Sequence, residues 1–147
     1  MLRTKKPTTA MTAPDLLTDN ELLEQIENCS LSPELFTHQT MLRLAWILVQ
    51  KHGLDVAIVK NGHIKEKYYK TALKSDKFNK TLSRAYVEIL YYFMKKSNTN
   101  NFDKLLREFP RLKFDFQKLV KTHYGYNILK EHRQEIPKDF GPIIFSF

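Results

Sequence analysis

Between residues 82 and 94, Leu82, Tyr86, Ile89, Leu90, Phe93 and Met94 recur at steps of three and four residues. That spacing lines one side of a helix and no side of a strand, because a helix returns to the same side about every 3.6 residues and a strand about every two. Upstream, Leu42, Ala45, Trp46 and Val49 share a face that Leu44, Ile47 and Leu48 widen, so most of the circumference is apolar. A helix apolar nearly all round belongs at the centre of a core. No segment of convincing length alternates with the strand period, and no internal repeat occurs. The expected fold is all-α: a single helical bundle of five to seven helices built around these two segments.

Local signals divide the remaining chain. Thr18 followed three residues later by Glu21 is a capping box, so a short helix starts there, presents Leu22, Leu23 and Ile26, and stops at Ser30, Ser32 and Pro33. Thr37 caps the next helix; Lys51 and His52 suit the negative end of its dipole and Gly53 its termination. From Asp55, the residues Val56, Val59, Ile64, Tyr68 and Ala72 predict a third helix, which Asn61-Gly62 threatens to split. Leu73 to Asp76 reads as a loop, and Ser97 to Asn101 as a turn that caps a short helix through Phe102, Leu105, Leu106 and Phe109 before Pro110. Leu112, Phe116, Leu119 and Val120 predict one more helix, Gly125 a break, and Tyr126 to Glu135 a last one. Beyond Ile136 the apolar residues Phe140, Ile143, Ile144, Phe145 and Phe147 lack helical period and are expected to lie extended over the bundle.

The first fourteen residues carry Arg3, Lys5 and Lys6, two prolines, no acid and no apolar run, and are expected to be a basic, disordered tail preceding one domain at 15–147. They lack the apolar core of a secretory signal, and Pro7 and Pro14 oppose the amphipathic helix of a transit peptide. No stretch is apolar enough for a membrane span. A single cysteine, Cys29, makes no intramolecular disulfide, so the expected location is cytoplasmic.

Catalytic motifs are scarce. Four glycines in 147 residues leave no phosphate-cradling loop or dinucleotide fingerprint, and there is no His-Glu-x-x-His, no cysteine pair for zinc and no serine elbow. Cys29 beside any of His38, His52, His63, His123 or His132 is better read as a small structural residue than as a nucleophile with its base. The net charge of +8 is unevenly spread: residues 15–42 hold six acids and no Lys or Arg, whereas residues 60–96 hold ten bases and three acids. Lys67, Lys70, Lys74, Lys77, Lys80 and Arg84, with Tyr68, Tyr69 and Phe78 among them, form a basic face that fits a phosphate backbone with stacked bases. Helical spacing of the same residues equally fits a solvated face whose tyrosines serve the core, and this second reading is preferred; nucleic acid is not the favoured partner.

Three stretches, Phe36-Thr37-His38 running into Leu42-Arg43-Leu44-Ala45-Trp46, Lys77-Phe78-Asn79-Lys80-Thr81-Leu82-Ser83, and His123-Tyr124-Gly125 through Ile128-Leu129 to Pro137-Lys138-Asp139-Phe140, occur in this order. Together they resemble a family of small bacterial proteins of unknown function with the patterns F-x-H-x-x-H-L-R-L-A-W, K-Y-H-x-T-x-T and a C-terminal P-D-L. The resemblance implies an all-helical bundle in which the first two motifs bring polar residues together around a pocket. In this sequence Met41 and Asn79 stand at two of the family's three histidines, so no metal and no cofactor is expected. What the resemblance leaves is a ligand site of His38, Arg43, Asn79, Thr81 and Ser83; the competing reading makes the same residues helix caps and internal polar ties. The function expected is a binding or scaffold module taking a small anionic ligand or a protein partner. Its rivals are an enzyme with His38 as acid or base and Arg43 as anion clamp, and a weak nucleic-acid binder.

Overall fold

The computed structural model describes residues 13–124, and over that span the chain is all-helical with no strand. The order is α1 (Ala13–Leu16), α2 (Asp19–Glu27), a 3-10 turn (Pro33–Leu35), α3 (His38–His52), α4 (Leu54–Thr71), α5 (Lys80–Lys96), α6 (Phe102–Glu108), α7 (Arg111–Phe114) and α8 (Phe116–Tyr124). Residues 1–12, the helix expected over Tyr126 to Glu135 and the extended C-terminal segment lie outside the described residues. Ala13 and Pro14, expected to be part of the tail, belong to α1.

The two helices that the apolar spacing singles out form the centre. Leu42, Leu44, Ala45, Ile47 and Leu48 of α3 and Ala85, Val87, Ile89 and Leu90 of α5 are buried, and α3, α4 and α5 pack most extensively on one another. Each large apolar side chain so buried contributes about 1.5–3 kcal/mol. The remaining helices lie around this core: α2 packs on α3 and α4, and α8 on α5. The caps are those expected. Glu21 N–H donates to Thr18 Oγ1 at 3.1 Å while Thr18 N–H donates to Glu21 Oε1 at 2.9 Å. Thr37 accepts from Thr40 N–H at 3.2 Å and Asn79 from Leu82 N–H at 2.9 Å. Gly53, at φ +83°, joins α3 directly to α4 in a backbone conformation that other residues rarely adopt.

Three expectations need correction. Asn61-Gly62 does not divide α4, because Asn61 is buried and its side-chain N–H donates across the interface to the Ser83 carbonyl at 2.9 Å, making it a tie between α4 and α5. The expected buried face of α4 holds only in its second half: Tyr68 is buried and Ile64 and Ala72 pack partly buried on the core, whereas Val56 and Val59 are exposed and Ala57, Asn61 and Lys65 face inward. The helix expected through Leu112 and Val120 breaks at Asp115 into α7 and α8. In a continuous helix the Leu112 carbonyl would accept from the Phe116 amide; it accepts instead from His38 Nε2 at 2.9 Å.

Candidate functional site

The five residues expected to share a ligand site are placed in separate settings. His38 begins α3 and points toward α5 and α7, with Nδ1 2.7 Å from the Tyr86 hydroxyl and its ring against Phe116. Arg43, five residues on, lies about 140° around the same helix. Its Nη2 donates to Asp19 Oδ1 at 2.9 Å and to the Leu17 carbonyl at 2.7 Å, which pins the start of α2 to α3. Asn79 caps α5. Ser83 Oγ lies 3.1 Å from the Asn61 amide nitrogen, and Thr81 is buried with no hydrogen-bond partner for its hydroxyl among the described residues. His38 thus lies in the seam with Tyr86 and Phe116, Ser83 at the α4–α5 interface with Asn61, and Arg43 on another side of α3.

That seam contains groups the sequence reading passed over. Lys65 is 3% exposed, and its ammonium sits 3.9 Å above the centre of the Tyr86 ring. Among the described residues no carboxylate pairs with it. Burial without a counter-charge pushes its pKa down to about 7. Burial likewise raises the Tyr86 phenol and, with the nearby Lys65 charge, lowers His38, although the bond to the Leu112 carbonyl opposes that shift. A second buried line runs from Arg84 through Glu88 to His123, with Arg84 Nε 2.8 Å and His123 Nε2 3.0 Å from the Glu88 carboxylate. Lys65 was detectable as the residue four positions after Asn61 and three before Tyr68, but recognising it requires knowing which side of α4 is inward.

The basic face is only partly available. Lys67 Nζ donates to the Glu27 carbonyl at 3.2 Å, closing the C-terminal end of α2, and Arg84 is engaged by Glu88. Lys70, Lys74, Lys77 and Lys80 are exposed. The aromatics among them do not form an open platform: Tyr68 is fully buried with its hydroxyl on the Leu31 carbonyl, and Tyr69 and Phe78 are half-buried against each other.

An open concavity lies elsewhere among the described residues. A cleft of about 750 Å³ runs between α1–α2, the start of α3 and the start of α6, with Lys113 of α7 on its border. Asp15, Asp19, Glu34 and Asp103 line it, against Arg43 and Lys113. Arg43 is bonded to Asp19, and among the described residues the lining holds four acidic side chains against two basic ones, in a chain that is positive overall. Trp46 and Phe102, with ring centres 5.9 Å apart, are mostly buried and border the cleft from the core side. Among the described residues no three His, Cys, Asp or Glu side chains gather as a metal-binding set. No described helix is long and apolar enough to cross a membrane. Comparison with models of protein families, with curated proteins and with solved structures finds no match.

Proposed function

We propose that this chain is a non-catalytic helical binding module whose cleft takes a cationic segment of a protein partner. The observation that carries the reading is the acidic lining of the cleft: Glu34 and Asp103 attract a positive charge, while Asp19 and Arg43 are already paired with each other. The cleft's volume falls in the range of ordinary ligand sites, but its polar lining suits a charged peptide better than an apolar metabolite. Its sign also argues against the small anionic ligand expected from the sequence. The enzyme reading loses its support because His38 and Arg43 diverge around α3 and Arg43 is held by Asp19.

Calorimetric titration with a short lysine-rich peptide is the test. The expected result is binding that weakens with added salt, disappears when the peptide lysines are acetylated, and falls when Glu34→Gln and Asp103→Asn are combined. Equal binding of the acetylated peptide, or none by either, contradicts the reading.

A further inference from the structure

The two walls of the cleft are joined by one titratable side chain. Thr37 and Gln39 line the cleft from α3 and Lys113 lines it from α7. His38 stands between the first two, and the Leu112 carbonyl it binds at 2.9 Å immediately precedes Lys113. A carbonyl only accepts, so Nε2 carries the proton; in the neutral ring Nδ1 then accepts from the Tyr86 hydroxyl at 2.7 Å. We propose that His38 is a pH-sensitive clasp on the cleft: neutral, it holds α7 against the start of α3; protonated, it is driven from the seam and frees that wall.

The groups around His38 support this direction. From α4 it meets the charge of Lys65, with Tyr69 near Tyr86 on the same side; from α5 it meets Tyr86, and from α8 the Phe116 ring. On α7, Arg111 and Asp115 pair with each other at 3.5 Å, and on α5 Glu88 is occupied by Arg84 and His123. No carboxylate among the described residues pairs with His38. A proton on Nδ1 forces the Tyr86 hydroxyl to turn from donor to acceptor and places a second positive charge, part-buried, beside Lys65. That desolvation and repulsion oppose the bond from Nε2 to the Leu112 carbonyl, which by itself favours the protonated ring. Burial and Lys65 both hold His38 below the ordinary histidine range, so release belongs to mildly acidic conditions.

The clasp stands on its own geometry, while its effect on binding rests on the proposed function, and the experiment separates the two. NMR of the full chain is followed from about pH 8 to about pH 5, across the histidine range, reading the His38 ring, the Lys113 amide and the indole of Trp46, the chain's only tryptophan. The expected result is one shared midpoint for all three. Lys65→Met should move that midpoint upward, and His38→Gln, which keeps an N–H for the Leu112 carbonyl but does not titrate, should abolish the shared movement. If His38→Gln fails to fold, the Lys65→Met shift decides. Lys113 and Trp46 signals that ignore the His38 titration, or that move identically in His38→Gln, overturn the clasp. A lysine-rich peptide that binds at neither end of the range overturns the proposed function while leaving a shared midpoint standing as evidence for the clasp.

Discussion

Lys65 is a buried ammonium with no carboxylate partner among the described residues. Its pKa falls from 10.5 to about 7 on burial. Between those values the unfolded chain holds a proton that the folded chain has released, so stability rises with pH through this window and the burial penalty is fully present below it. A shift of that size corresponds to about 5 kcal/mol. Lys65→Met removes the charge and keeps the stem, so it should raise the melting temperature, and by more near pH 6 than near pH 10, the two sides of that window. Thermal unfolding at the two pH values checks this, and an equal gain at both would contradict an unpaired buried ammonium. The sequence did not disclose this lysine because the apolar spacing put Val56, Val59, Ile64, Tyr68 and Ala72 on the inward side of α4, and a lysine carries no apolar signal of its own. His38 was singled out correctly as a residue of interest, yet its partners, Tyr86 and the Leu112 carbonyl, are 48 and 74 residues away.

Among the helices, legibility follows how much of the determining chemistry is local. α2, α3, α5 and α6 start where their capping side chains stand, at Thr18, Thr37, Asn79 and Asn101. Asn79→Ala should cost about 1 kcal/mol in chemical unfolding, the usual worth of an N-cap, without altering helix content. Leu90→Ala, at a fully buried position of α5, should cost about 2–5 kcal/mol. A loss near zero would mean that α5 is not the central helix. The break between α7 and α8 at Asp115 carries no local mark, since residues 111–120 hold no Gly or Pro, and the His38–Leu112 bond beside it joins residues 74 apart. The continuity of α4 was similarly hidden, since the Asn61-Gly62 pair that favours a turn in isolation is held helical by Ser83.

The charge arithmetic of the chain gains a geometry. Three of the six acids of residues 15–42, Asp15, Asp19 and Glu34, line the cleft, while the lysines at 70, 74, 77 and 80 are exposed on the surface. Because Tyr68 is sealed and Tyr69 and Phe78 are spent on each other, a single-stranded oligonucleotide should bind only weakly and lose affinity steeply with salt in fluorescence anisotropy. Tight binding that persists at physiological salt and collapses on changing Lys70, Lys74 and Lys77 to Glu would make nucleic acid the partner instead. The most direct measurement is NMR mapping of the labelled chain with a lysine-rich peptide. The expected perturbations gather at the Trp46 indole, Thr37 to Thr40 and Asn101 to Asp103. Perturbations that instead follow the lysine face from Lys67 to Lys80, or that spread evenly over the surface, would contradict recognition in the cleft.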